Sequence, residues 1–381
     1  MTAWDAVVVG AGPAGSAAAT VLSVAGRRVL LLEKDCFPRA KVCGEFLSGD
    51  ALASIKRLGA RGAVDALAPE RIEEGSVHPA RGEAVPFRLP TAALGISRFR
   101  LDELLASRAR EAGAEARFSC RVLSTAGSPR SGFSVRFVSE GVEEEAAARA
   151  VIGAWGRWDA LDRRLERTFL ERARFFGFSR DYRGDTSALA GRVRLYLFPG
   201  GYCGLSRVEG GEANLAGVIS ESERRKTGGS WEDVLRRARR FNAALEADLA
   251  AMDPGPRGFL GTVPVVFTAK PATEDGMLMA GDAAGVLDPF SGQGQAAALA
   301  AGILAGDTTL DLLEGRLSPD LYLATYERAW RTRFSRRFGW SAALRRLILG
   351  PLLGRIASGF VGERTMRYVI RKLWGIGEVE S

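Results

Sequence analysis

The run Asp5-Ala-Val-Val-Val-Gly10-Ala-Gly12-Pro13-Ala14-Gly15 leaves few folds open to this chain. An apolar stretch that reads as a buried parallel strand leads into GxGxxG. An alanine-rich helical segment follows, and a second apolar run, Arg28 to Glu33, ends on an acid. Three glycines alone would make an ordinary turn, but strand, glycines, helix, strand and acid together form a complete βαβ dinucleotide fingerprint. Gly10 allows the tight turn, Gly12 lets the backbone approach a pyrophosphate, and Gly15 lets the helix pack closely on the strand. Pro13 and Ala14 open the helix and Gly26 stops it, so its free N–H groups face the phosphate charge. Glu33 would accept hydrogen bonds from a ribose hydroxyl.

Length and composition narrow the rest. With 381 residues the chain exceeds one small core, and two or three lobes are expected. Cys36, Cys43, Cys120 and Cys203 are scattered without a CxxC pair, so neither a zinc site nor a disulfide framework is expected, and the setting reads as reduced and cytoplasmic. His78 is the only histidine, which removes Ser-His-Asp triads and multi-His metal sites; it reads as a surface loop residue. No metal and no nucleic acid is expected. The net charge of +8 is concentrated from Arg328 to Lys372, where twelve Arg or Lys face the single acid Glu363.

After Glu33, the segment Lys34-Asp-Cys-Phe-Pro-Arg39-Ala-Lys41-Val-Cys43-Gly44-Glu45 has neither helical nor strand periodicity and reads as a long functional loop. A helix is expected from about Asp50 to Leu58, then a less regular stretch with short strands to Leu94. A helix entered at Ser97-Arg98 stops at Gly113. Phe133 to Ser139 and Glu143 to Ala147 read as a hairpin about Glu140-Gly141, before an apolar strand from Ala150 into Gly153-Ala154-Trp155-Gly156. From Asp159 to Thr273, short strand-like runs separated by Gly, Pro and charges suggest an inserted antiparallel sheet, with one helix, Trp231 to Ala251. Met277-Leu-Met-Ala-Gly281-Asp282 then restores the strand-into-glycine pattern. The expected architecture is α/β: a doubly wound, Rossmann-like domain from 1–158 and 274–317, an antiparallel β-sheet substrate domain at 159–273, and a helical C-terminal extension at 318–381.

The first motif, the Arg98 helix entry, and Gly281-Asp282-Ala-Ala-Gly285 with Asp288-Pro289-Phe290-Ser-Gly292-Gln293-Gly294 together resemble the glutathione-reductase-type FAD proteins. More closely, they resemble the branch holding aromatic hydroxylases and geranylgeranyl reductases. The resemblance runs to about residue 315 and implies FAD held at two ends. The AMP half would lie on Gly10 to Glu33, with Lys34 and Arg39 near it. Asp282 would bind a ribityl hydroxyl, Arg98 would contact the ribityl and phosphate region, and the helix beginning at Gly292 to Gly294 would aim its positive end at the flavin. Lys41-Val-Cys43-Gly44-Glu45 resembles the Cys-Gly element beside the flavin in geranylgeranyl reductases. A catalytic Cys43 would need a positive neighbour, for which Lys41 or Arg39 is at hand, and Gly44 would give backbone access to the ring.

Two departures mark this chain. Where aromatic hydroxylases carry Asp-Gly it reads Trp155-Gly156, and an indole cannot replace a carboxylate on the route by which NAD(P)H, the implied electron donor, reduces flavin. The Trp and Phe-Pro elements of the geranylgeranyl reductases are replaced in Gly201-Tyr202-Cys203-Gly204-Leu205-Ser206. Flavin halogenases are a weaker match, without a WxWxIP string. The resulting expectation is a flavin monooxygenase hydroxylating a hydrophobic or aromatic molecule, with an isoprenoid double-bond reductase as the alternative. A third reading is a flavoprotein that docks on a partner protein. The basic amphipathic run Arg331 to Leu349 would suit an acidic partner or a membrane surface.

Overall fold

The computed structural model describes residues 4–167 and 174–349. At its centre is the strand Trp4–Val9, flanked in parallel by Val29–Leu32 and Val142–Gly153. Glu115–Arg117 and Met277–Met279 extend this sheet on its two sides. Both faces are covered, so its central strands read as apolar runs and not as alternations. The helices Pro13–Val24 and Gly294–Leu313 lie against each other so closely that a Cβ on Gly302 would stand 2.0 Å from the Ala14 carbonyl oxygen. That contact carries the late glycine motif onto the first one. Gly294–Leu313 has the length and apolarity of a membrane span, but it is mostly buried in the fold as a core helix.

The doubly wound sheet with an attached second sheet is the expected fold class, with differences in how the chain is shared. The hairpin arm at Glu143 and the strand at Ala150 are one continuous strand, Val142–Gly153, antiparallel to Gly132–Ser139 and parallel to Trp4–Val9. The second sheet is not built from 159–273 alone. Phe46–Leu47, Glu70–His78 and Val85–Gly95 join it, Glu70–His78 lying parallel to Arg192–Phe198. His78 therefore ends a strand, half-buried and stacked on Tyr196 at 5.1 Å, and is no loop residue. The helix expected over Trp231 to Ala251 breaks at Asn242, which caps the second half through Leu245 N and donates to the Leu197 carbonyl.

The extension is a helix, Pro319–Leu349, whose first half belongs to the core. Tyr322, Tyr326, Trp330 and Phe334 are buried against the first sheet, and the Tyr326 hydroxyl donates to the Met279 carbonyl at 2.6 Å. Burying each such ring contributes roughly 2 kcal/mol. Residues from 350 on, including the break at Gly350 and Pro351, lie outside the described residues.

Candidate functional site

The glycine roles separate cleanly. Gly10, at φ +101°, would place a Cβ 2.5 Å from the Ala154 carbonyl oxygen, and a Cβ on Gly15 would stand 1.7 Å from the Gly10 oxygen. Those two hold helix to strand. A Cβ on Gly12 would meet nothing within 4 Å, because that backbone faces an open cleft. The helix starting at Pro13 has no side-chain cap, so its first N–H groups remain free for an anion.

The cleft, about 480 Å³, runs from this turn to the late motif. It is lined by Gly10, Gly12, Pro13, Ala14, Glu33, Lys34, Arg39, Cys43, Gly44, Arg98, Gly281, Asp282, Gly292 and Gly294. Of the expected site residues, Gly15 is used in packing, and Gln293 is buried without lining the cleft. Glu33 receives Ala11 N at 2.8 Å on one oxygen and Asp35 N at 3.1 Å on the other. Lys34 pairs with Asp159 at 2.7 Å.

A buried ionic chain crosses the middle of the site. Arg98 grips Asp102 with two hydrogen bonds of 2.6 Å, Arg39 reaches Asp102 at 3.2 Å, and Arg39 also reaches Glu33 at 3.2 Å. Burial opposes the charge on Arg98, but Asp102 beside it raises its pKa above the ordinary value. Cys43 stands against this guanidinium and not against Arg39 or Lys41, the neighbours expected from sequence; Lys41 is held by Asp35 at 3.1 Å. Cys43 Sγ also accepts from Glu45 N at 3.4 Å and Gln295 Nε2 at 3.5 Å. Burial outweighs Arg98 and pushes the thiol pKa up, so Cys43 holds its proton at neutral pH.

Glu45 is buried beside the Arg98 backbone, its carboxyl pushed up to about 7 by burial. The folded state therefore prefers the neutral acid. Stability linked to Glu45 is complete below the reference value of 4.5 and is lost as pH rises through about 7. Glu45→Gln, neutral throughout, should match the wild type near pH 4 and exceed it by about 3 kcal/mol in alkaline solution, at ~1.4 kcal/mol per unit of pKa. Urea melts at the two pH values check this; an equal difference at both would reject it.

Several residues in and around the cleft have partners that the sequence did not show. Trp155 donates to Asp162 Oδ1 at 3.3 Å, so its indole serves a buried cluster with Arg167. The acid in that wall is Asp159, which Lys34 and the turn at Leu161 engage. Arg157 borders the cleft 4.0 Å from Asp282, and Lys270 donates to the carbonyls of Arg157 and Asp282 at 2.8 Å each. Gln295 has a buried Oε1 without a partner.

A second, apolar cavity of about 140 Å³ opens from the cleft at Val42, Cys43, Gly44, Phe46, Pro289 and Gly292. Its floor is the face of the second sheet, and Leu344 of the C-terminal helix closes one side. At its rim the Tyr202 hydroxyl donates to Asp288 at 2.5 Å and accepts from Phe290 N at 2.9 Å. Burial raises the pKa of both groups. Arg345 pairs with Asp288 at 3.5 Å and lies over the rings of Phe175 and Phe267, while Arg337 pairs with Asp50 at 3.0 Å. Part of the basic helix thus faces the protein body. Tyr202 and Phe267 line this cavity, while Phe178, at its edge, packs with Tyr196 and Phe198 in the core of the second sheet.

The geometry fits one kind of occupant, a long dinucleotide with a phosphate centre and two polar ends, and the family comparison agrees. Residues 3–179 match the family described as FAD binding domain. Over that segment the chain is similar to this family. The open backbone at Gly12, the free N–H groups after it and the partnerless Gln295 oxygen are consistent with FAD lying along the cleft. Over a longer span, the chain is 28% identical to digeranylgeranylglycerophospholipid reductase 2 of Methanopyrus kandleri, covering 89% of this chain and 85% of that protein. It is 27% identical to the menaquinone reductase of Mycolicibacterium smegmatis, covering 91% and 84%. A myxobacterial chondrochloren halogenase shares the fold with a TM-score of 0.80 at 20% identity, over 100% of this chain and 92% of that one. Family and relatives together place the chain among FAD-dependent oxidoreductases.

Proposed function

We propose that the chain is an FAD-dependent reductase that adds a hydride and a proton across a double bond of an apolar small molecule. The observation that carries this reading is the position of the Cys43 thiol, on the border between cofactor cleft and apolar cavity and beside Arg98. Bound FAD would supply two-electron hydride chemistry. Cys43 holds a proton at Sγ, and Arg98 beside it offsets the negative charge left once that proton is given up. Gly44, whose absent side chain would meet nothing within 4 Å, leaves the approach open. The helix beginning at Gly294 turns its positive end toward the cleft, and the apolar walls bind substrate and exclude water. NAD(P)H is the proposed source of electrons.

Oxygen insertion by a flavin monooxygenase is the second reading, favoured by a walled apolar cavity in which oxygen transfer requires no acid of the protein. Anaerobic turnover with a chemical reductant separates the two. A product gaining two hydrogens without O₂ is expected; a product that gains one oxygen and forms only with O₂ would reject the reductase reading. Bleaching of the flavin bands by NADH or NADPH tests the donor. Docking through the basic C-terminal helix is a proposal for its exposed residues only, since Arg337 and Arg345 are engaged inward.

A further inference from the structure

Among the described residues that line both the cleft and the apolar cavity, only Arg157 carries a charge. It follows the strand Val142–Gly153, and its carbonyl and that of Asp282 both accept from Lys270 at 2.8 Å. The backbone is thereby fixed at the late-motif end of the cleft, where cleft and cavity meet.

The Arg157 guanidinium is held far more lightly than its neighbours in the site. Lys34, Arg39, Lys41 and Arg98 each have a carboxylate within 3.2 Å. Arg157 Nη2 donates to the Val42 carbonyl at 3.2 Å, while Nε stands 4.0 Å from Asp282, beyond hydrogen-bonding reach. One of its five N–H donors is engaged, and the other four have no acceptor among the described residues. The side chain keeps 30% of its surface open. Whatever fills the cleft takes these donors out of contact with water and has to supply acceptors in exchange. Arg121 also lines the cleft, but at its opposite end, beside Cys120, whose N donates to the Glu33 carbonyl at 2.8 Å.

We propose that Arg157 binds the ring end of FAD by donating to an oxygen acceptor of the flavin ring, and that it holds the reduced cofactor more tightly than the oxidised one. This rests on the reading of the cleft as the FAD site, with the AMP half at Gly12 and Glu33. The ring then occupies the end shared with the cavity, where it meets a molecule bound there. Reduction adds negative charge to the ring, and a hydrogen bond from a cationic donor strengthens as its acceptor becomes charged. Asp282, at 4.0 Å, offsets only part of that attraction.

The test measures FAD affinity, ADP affinity and the two-electron midpoint potential of bound FAD in the wild type, Arg157→Met and Arg157→Lys. In Arg157→Met the reduced cofactor should lose about tenfold more affinity than the oxidised one, the step from a neutral to a charged acceptor. That is a fall of about 30 mV in potential. Arg157→Lys keeps the charge and should keep most of the potential. ADP, which has the phosphate end without the ring, should bind all three proteins alike. Thermal melts should coincide, because the side chain gives the fold a single hydrogen bond. An unchanged potential in Arg157→Met, or an equal fall in Arg157→Lys, overturns the assignment. A loss of ADP affinity in Arg157→Met also overturns it, by placing the residue at the phosphate end. A wild type that binds neither FAD nor ADP rejects the cleft as the cofactor site, and the role of Arg157 falls with it.

Discussion

Gly12→Asp is expected to abolish FAD binding and leave the fold intact, whereas Gly15→Ala is expected to damage both. The two glycines are three residues apart in one motif, and the motif already gives them different roles. In the structure a side chain at Gly12 projects into free space, so the fold has no reason to object. A carboxylate there would sit at the helix N-terminus, stabilise the helix as an internal anion, and hold the ground that the pyrophosphate needs. Affinity for FAD should fall by about 100-fold or more, a difference of about 3 kcal/mol. At Gly15 even one methyl group would lie 1.7 Å from the Gly10 oxygen, and helix and strand would have to separate. A loss of about 3 kcal/mol is expected, the upper end for overpacking. FAD titration by fluorescence quenching, paired with thermal melts, reads both. Equal melting losses for the two variants would show that the division of roles is mistaken.

Cys43→Ala should lower kcat about 100- to 1,000-fold, the usual worth of a placed general acid, with FAD binding and KM nearly unchanged. The thiol contributes little to the fold: its contacts are two long hydrogen bonds and the Arg98 guanidinium. Because burial raises its pKa, wild-type activity should hold through neutral pH and fall only in alkaline solution as the proton is lost; the Ala variant should lack that alkaline limb. Cys43→Ser, a poorer acid of similar size, should recover part of the rate. A change confined to KM in both variants would make Cys43 a packing residue and remove the main support for reduction over oxygen insertion.

What could be read from sequence was whatever the chain encodes locally. Gly10 to Glu33, the capped helix at Arg98 and the turn at Gly281 each state their geometry within a dozen residues. The continuous strand Val142–Gly153 could not be read this way, because alternation holds in its hairpin half and a plain apolar run in its parallel half. The recruitment of residues 46–95 into the second sheet was hidden for a related reason: a strand's pattern reports which face is buried and not which sheet it joins. The partner of Cys43 was misjudged because Arg39 and Lys41 are near in sequence, while Arg98 is brought in by a fold-level contact and the nearer cations are neutralised by acids. His78 looked like a loop residue from its Gly- and Pro-rich surroundings, yet it ends a strand that pairs with Arg192–Phe198, opposite Tyr196.

The closure of one side of the apolar cavity by Leu344, on a helix tied to Asp288 by Ser341 and Arg345, bears on the order in which the molecule is made. Every cleft-lining residue named above has left the ribosome once residue 298 has, and the first core is then completed by the rest of the helix to Leu313 and by Tyr322 to Phe334. The Leu344 wall of the apolar cavity comes after both. During synthesis the protein therefore completes its glycine-lined cleft before it closes the apolar cavity beside it. A chain ending just past Gly339 would keep the core tyrosines and Trp330 and would present a loaded cleft beneath an open cavity.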